Sequence, residues 1–211
     1  MQQKKIVIFD MDGTLVDSRK DITLSVNYVR KINHNLPPMQ EEEIVEAINK
    51  KERNLAMFFY NTAVYDKQDR EVFEKHYHKQ CTQHVKLFEG VFELLDTLKQ
   101  NGVLMGVATN APTPFAKKML THSGISEFFV DVIGADKANP KPHPQMVEKL
   151  LHTCKYNQKT DKAWMVGDNP KDIEVAKNAN IEGIYATWGF KSECAHPLKV
   201  DSPQEILKIV L

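Results

Sequence analysis

The sequence lacks long apolar runs and is poor in cysteine. No segment of its 211 residues approaches the roughly 18 consecutive apolar residues that suggest a membrane span. Cys81, Cys154 and Cys194 are odd in number and show no metal-type spacing, so we expect reduced thiols in a cytoplasmic protein. The amino terminus leads straight into an apolar strand-like run, and we therefore expect no signal peptide.

Net charge is also absent. The 28 basic and 28 acidic side chains cancel. A neutral chain has no strong field to attract nucleic acid or an anionic membrane, so any affinity for phosphate must come from a local site. We expect a small-molecule partner, with no nucleic acid and no membrane. The oligomeric state is left open by the sequence.

Glycine is missing from residues 17–86. Apolar residues recur there at helical spacing, as in Ile22, Val26 and Val29, which predicts an inserted block of helices. In residues 1–16 and 87–211, apolar strand-like runs alternate with helical patterns instead. This alternation predicts an α/β core with a parallel, doubly wound sheet.

Several residues mark predicted helix starts. Ser18 is a candidate N-cap, and Thr113-Pro114 and Asn169-Pro170 combine an N-cap residue with proline at the first helical position. Ser202 and Glu205 have the spacing of a capping box. Asp172 would then lie in a first helical turn.

What the chain does contain is an acid pair directly after its first apolar run. Residues 6–9 read as a strand covered on both faces, followed by Asp10, Asp12 and Gly13. Functional groups in open α/β sheets gather at the carboxyl ends of strands. Two acids there could hold a hard cation, or one could attack phosphorus while the other moves a proton. The alternative is an ordinary Asp-Gly turn.

Three further apolar runs, at 103–108, 128–133 and 163–166, repeat this pattern of strand followed by polar cluster. The clusters are, in order, a hydroxyl with an amide, a lysine between two prolines, and a second acid pair. Their residues are Thr109 and Asn110, then Lys141, then Asp168 and Asp172.

Four clusters in this order resemble the haloacid dehalogenase (HAD) superfamily of phosphohydrolases. Within it, the chain looks like the phosphoglycolate phosphatase-like group with an α-helical cap, and the resemblance covers essentially the whole sequence. It implies a Rossmann-like core at 1–16 and 87–211 and a helical cap at 17–86. It also implies a Mg²⁺-dependent phosphatase that acts on a small phosphorylated metabolite through an aspartyl-phosphate.

The resemblance also implies roles for single residues. Asp10 would be the nucleophile and, with Asp168, a side-chain ligand of Mg²⁺. Asp12 would bind the metal through its backbone carbonyl, leaving its carboxyl free as general acid and base. The implied phosphate-binding residues are Thr109, Asn110 and Lys141, and the supporting residues are Gly13 and Asp172. Asp172 could orient Lys141 and a metal-bound water, or simply complement a helix N-terminus.

Other interpretations remain open at this stage. A β-phosphoglucomutase-like phosphoryl transfer uses the same acid pair, and a regulatory protein could keep the fold without catalysis. In the cap, the basic residues Lys50, Lys51 and Arg53 are candidates to bind a second anionic group of the substrate, or are a solvated helix end. Trp188-Gly189-Phe190 resembles an aromatic-glycine turn of the family, although core packing accounts for its aromatics equally well.

Overall fold

The computed structural model describes residues 3–50, 54–190 and 194–211. The chain divides into two compact units. The first, which we call the α/β unit, comprises residues 1–17 and 87–211, and the second, the helical unit, comprises residues 18–86.

The described elements follow one another along the chain as strands and helices. The strands are β1 (Lys5–Phe9), β2 (Val16–Asp17), β3 (Lys86–Leu87), β4 (Leu104–Ala108), β5 (Val132–Ile133), β6 (Lys162–Gly167), β7 (Glu182–Ala186) and β8 (Lys199–Val200). The helices are α1 (Arg19–His34), α2 (Glu41–Asn49), α3 (Leu55–Tyr60), α4 (Lys67–Gln80), α5 (Val91–Gln100), α6 (Thr113–His122), α7 (Gln145–Thr153), α8 (Pro170–Asn178) and α9 (Pro203–Val210), with a 3₁₀ turn at Ser126–Phe128.

A six-stranded parallel sheet forms the centre of the α/β unit. Its strand order is β5-β4-β1-β6-β7-β8, and β2 pairs with β3 in a separate two-stranded sheet. Phe9 at the end of β1 is in register with Val107 of β4 and Val166 of β6. The three central strands therefore end at the same level, and the residues after them meet at one edge. The predicted parallel α/β sheet is confirmed.

Apolar packing on the sheet fixes this arrangement. Ile6, Ile8 and Met165 are fully buried in one cluster with Val147 and Leu150 of α7. Burying a Val, Leu, Ile or Met side chain stabilises a fold by about 1.5–3 kcal/mol. This burial stabilises the central strands, from whose ends the next turns of the chain begin.

The helical unit has its own core. Val26 and Val29 of α1 pack with Ile44 of α2 and with Phe59 and Tyr60 of α3. No helix in the described part of the chain combines the length and the apolar character needed to cross a membrane.

Polar side chains tie the helices of this unit together. The buried Asp69 accepts hydrogen bonds from Asn33 Nδ2 and His34 Nε2, each at 2.8 Å. The buried Asp21 accepts from the main-chain N–H of His84 at 3.0 Å and contacts His84 Nδ1 at 2.7 Å. These contacts join α1 to α4 and to the segment that follows it.

The predicted helix starts are confirmed only in part. Asn169 caps α8 by accepting from Lys171 N–H, as predicted. Ser18 occupies the N-cap of α1 but makes no side-chain capping bond. Thr113 is the first residue of α6 rather than its N-cap, which is Pro112, and its hydroxyl donates to Asp136.

Two further local predictions were wrong. Ser202 occupies the N-cap of α9 but makes no side-chain capping bond, and no capping box forms, since Glu205 accepts from Asp201 N–H one residue earlier. The apolar run 128–133 is not one strand. Its start belongs to the 3₁₀ turn, and the strand that pairs with β4 comprises only Val132–Ile133.

Candidate active site

The carboxyl ends of the central strands carry the candidate site. Asp10 directly follows β1, Thr109 directly follows β4, and Asp168 directly follows β6. The main-chain N–H of Asp10 still donates to Val166 O at 2.8 Å, and that of Thr109 to Ile133 O at 3.1 Å. Hydrogen bonds to neighbouring strands therefore position the backbone of Asp10 and Thr109.

Three carboxylates converge at this edge. Oxygen atoms of Asp10, Asp168 and Asp172, all buried, lie within 4.8 Å of one another. Carboxylate oxygens are the ligands that hard divalent cations prefer. Three buried acids so close together would repel one another strongly in their charged forms, so this donor set suits a metal ion.

Lys141 is the positive charge inside this cluster. Its ammonium donates to Asp10 Oδ1 at 2.6 Å and to Asp172 Oδ1 at 2.7 Å. Burial alone would lower the pKa of Lys141, but the charges of Asp10 and Asp172 outweigh burial and raise that pKa above its ordinary value. Lys141 is thus a permanent cation beside the carboxylate that follows β1.

Asp168 is held at both of its oxygens. The Thr14 hydroxyl donates to Oδ1 at 3.2 Å, and the Phe190 main-chain N–H donates to Oδ2 at 2.8 Å. Burial, followed by the charges of Asp10 and Asp172, raises the pKa of Asp168 to about 8. A cation bound here would reverse this effect, because it favours the ionised carboxylate.

Asp172 contacts both Lys141 and the N-terminus of α8, the two alternatives that the sequence left open. Its Oδ1 accepts from Lys141, and its Oδ2 accepts from Asn169 N–H at 3.0 Å in the capping box of α8. Burial raises the pKa of Asp172 to about 6, although the charge of Lys141 opposes that rise. The residue therefore orients Lys141 and completes a helix N-terminus at the same time.

Thr109 and Asn110 have different surroundings. The Thr109 hydroxyl accepts from Ala111 N–H at 3.1 Å, which leaves its own hydrogen to be donated. The Asn110 side chain instead holds the main chain of Lys141. Its Oδ1 accepts from Lys141 N–H at 2.8 Å, and its Nδ2 donates to Lys141 O at 3.3 Å.

Asp12 and Gly13 lie in the tight turn after β1. Asp12 is half-buried, and its carboxylate is outside the cluster of three acids. Gly13 has φ of 90°, a left-handed conformation, and a Cβ there would lie 2.3 Å from Asp168 Oδ2. Only glycine allows the turn to approach Asp168 so closely.

Sequence reasoning missed two contributors, Thr14 and the main-chain N–H of Phe190. Thr14 is in the same segment as Asp10 and Asp12, so its position in the sequence could have indicated that it belongs to the site. The Phe190 N–H carries no side-chain signal at all. Its neighbours Trp188 and Gly189 were noticed only as a resemblance.

The basic residues proposed for substrate selection belong to the helical unit. Lys50 pairs with Glu46 at 3.0 Å, and its Nζ lies 5.6 Å from the centre of the Phe58 ring. Both partners of this ion pair are exposed. Lys51 and Arg53 lie outside the described residues. Lys50 also lines a cavity of about 450 Å³, whose other walls are Ala47, Asn54, Leu55, Met57, Phe58 and Asn61.

Comparison with known sequences matches this chain to one family over most of its length. The model of the family described as Haloacid dehalogenase-like hydrolase matches residues 7–186. That range includes the whole helical unit, most of the α/β unit and all three acids of the cluster.

Similar proteins of known sequence and structure agree with this match. The chain is 30% identical to a phosphoglycolate phosphatase from Vibrio parahaemolyticus, over 99% of this chain and 97% of that protein. It is 31% identical to an N-acetylmuramic acid 6-phosphate phosphatase from Pseudomonas putida, over 98% and 96%. The crystal structure of a predicted phosphoglycolate phosphatase from Haemophilus somnus superposes with a TM-score of 0.85 at 28% identity, covering all of both chains.

Proposed function

Because the chain belongs to the haloacid dehalogenase-like hydrolase family, we propose that it hydrolyses a phosphate monoester of a small metabolite with Asp10 as the nucleophile. The observation that carries this proposal is the ion pair between the buried Lys141 and Asp10, beside Asp168 and Asp172. A lysine there neutralises both the nucleophile and an incoming phosphoryl group, whose charges would otherwise repel each other.

The reaction has two steps. An Asp10 oxygen attacks phosphorus and forms an aspartyl-phosphate, while the bond from phosphorus to the ester oxygen breaks. Asp12 gives its proton to the leaving alkoxide and then takes a proton from the hydrolytic water. That water attacks phosphorus, releases inorganic phosphate and restores the Asp10 carboxylate.

The remaining residues bind and orient. The Thr109 hydroxyl, with its free hydrogen, donates to a phosphoryl oxygen. Lys141 pairs with the same group, while Asn110 and Asp172 hold Lys141 in position. Phosphoryl transfer depends mainly on such positioning and on charge stabilisation.

The cofactor proposed is Mg²⁺. It would be held by the side chains of Asp10 and Asp168 and by the backbone carbonyl of Asp12, and it would supply positive charge to the phosphoryl group. The donor set supports this assignment, since Mg²⁺ binds few carboxylates and keeps several waters.

For the substrate, we propose a phosphate ester that also carries a carboxylate. Phosphoglycolate and N-acetylmuramic acid 6-phosphate, which name the two relatives, are both phosphate esters of carboxylic acids.

The test is hydrolysis of matched esters by the purified protein with Mg²⁺. Phosphoglycolate and N-acetylmuramic acid 6-phosphate would be compared with 2-hydroxyethyl phosphate and N-acetylglucosamine 6-phosphate, which lack the carboxylate. We expect higher kcat/KM for the acids. Asp10→Asn protein prepared in parallel is the control, and hydrolysis by the unaltered protein no faster than by this variant would overturn the proposed activity.

A further inference from the structure

The segment Trp188-Gly189-Phe190, which we call the aromatic turn, follows β7 and contacts two parts of the candidate site. The Trp188 indole N–H donates to the Thr14 carbonyl at 3.1 Å. The Phe190 main-chain N–H donates to Asp168 Oδ2 at 2.8 Å. The turn therefore touches both the segment that carries Asp12 and the acid that follows β6.

Gly189 lies against the same two elements. A Cβ at this position would be 2.2 Å from the Gly13 carbonyl oxygen and 2.4 Å from Asp168 Cβ. Neither neighbour is the free end of a flexible side chain, so a methyl group would have to displace backbone or Asp168 itself. Glycine is required here by close approach.

These contacts include one donor to each oxygen of the Asp168 carboxylate. Thr14, whose carbonyl is held by Trp188, donates its hydroxyl to Asp168 Oδ1, while Phe190 donates to Oδ2. Both carboxylate oxygens therefore take their orientation from donors that the aromatic turn supplies or supports. Partners that orient a ligand strengthen its binding to a metal.

From this geometry we infer that the aromatic turn is a positioning segment for metal binding, with Trp188 and Gly189 as its positioning residues. It acts through Thr14 and Asp168 and touches neither substrate nor reacting atoms. The inference rests on the proposed function, because it assigns Asp168 as a Mg²⁺ ligand.

Titration calorimetry with Mg²⁺ alone, without substrate, tests this inference independently of turnover. Trp188→Phe removes one neutral hydrogen bond, and we expect the Kd for Mg²⁺ to rise about two- to tenfold. Gly189→Ala should raise it about tenfold or more, because the methyl group displaces Asp168. Thermal melting would show that both variants are folded at the temperature of the titration.

The chain offers a matched control for each variant. Trp164→Phe removes the other indole hydrogen bond, which Nε1 makes to Glu182 Oε2 at 2.9 Å. Gly183→Ala adds a methyl group in β7, where the nearest atom is the flexible Ile173 Cδ1 at 3.1 Å. Both controls should lower Tm yet keep the Kd for Mg²⁺ within about twofold of the unaltered protein, since neither contacts the site.

The outcomes separate this inference from the proposed function. If the unaltered protein binds Mg²⁺ and both aromatic-turn variants bind it equally well, the positioning role is overturned and the proposed function stands. An equal loss of affinity in the controls would also overturn it, because the effect would then be general destabilisation. Absence of Mg²⁺ binding by the unaltered protein would overturn the proposed metal site and this inference together.

Discussion

Asn110 holds the main chain of Lys141 from both sides, accepting from its N–H at 2.8 Å and donating to its carbonyl at 3.3 Å. The two residues are 31 positions apart and follow different strands. The contact holds the backbone of Lys141, whose ammonium donates to Asp10 Oδ1 at 2.6 Å. Asn110, which the resemblance places among the phosphate-binding residues, thus also positions the lysine through its side chain.

Removal of that contact should affect turnover more than folding. Asn110→Ala loses both hydrogen bonds and with them the placement of the Lys141 ammonium beside Asp10, so we expect kcat to fall about tenfold or more. Asn178→Ala is the matched control, since Asn178 Nδ2 donates to the carbonyl of the next residue, Pro142, at 2.9 Å. Equal kcat values for the two variants would argue against a special role for Asn110.

Asp10→Asn should abolish hydrolysis while the protein stays folded. Hydrolysis should stop because an amide is a poor nucleophile. The substitution also removes one of three closely spaced acids, so the metal-free variant should melt no lower than the unaltered protein at pH 8. Steady-state assays and thermal melting check both parts. Residual turnover clearly above a mock-purified sample would eliminate Asp10 as the nucleophile.

Asp12→Asn should reduce kcat for alkyl phosphates by about 10²–10⁴-fold, the usual contribution of a general acid or base. The loss should be smaller for 4-nitrophenyl phosphate, because its leaving group needs little protonation. The ratio of the two losses is the informative measurement. Identical losses for both esters would count against proton donation by Asp12.

The stability of the metal-free protein should fall as pH rises. The pKa of Asp168 is raised to about 8 in the folded protein, whereas in an unfolded chain it would be near its ordinary value of about 3.9. Between these values the folded state binds more protons than the unfolded state, so stability is full below the unfolded pKa and is lost as pH rises through the folded one.

Melting temperatures in EDTA at pH 5.5 and pH 8.5 would measure this effect. The drop should be smaller in Asp168→Asn, which cannot titrate at that position, and smaller in excess Mg²⁺. A drop of the same size in Asp168→Asn would show that other groups cause it.

Much of the α/β unit could be predicted because strand and helix patterns are local. The apolar runs of β1, β4 and β6 are continuous and have the length of strands buried on both faces. Parallel strands bring their carboxyl ends to one edge of the sheet, and the family resemblance then implied that Asp10 and Asp168 lie close together there. The prediction of one strand over 128–133 was wrong, because apolar character does not distinguish a short strand from a buried turn.

Partner choice among polar side chains was decided only by the tertiary structure. The Asn110 side chain pairs with the main chain of Lys141, and Asp172 contacts both Lys141 and a helix N-terminus. Glu205 accepts from the N–H of Asp201 rather than from that of Ser202. The N–H of Phe190 donates to Asp168, which is 22 residues away in the chain, and a main-chain donor cannot be recognised from the residue type. The sequence determined which polar residues follow each strand, because a continuous apolar run is a local pattern. Which donor meets which acceptor depended on distances set by packing between segments far apart in the chain.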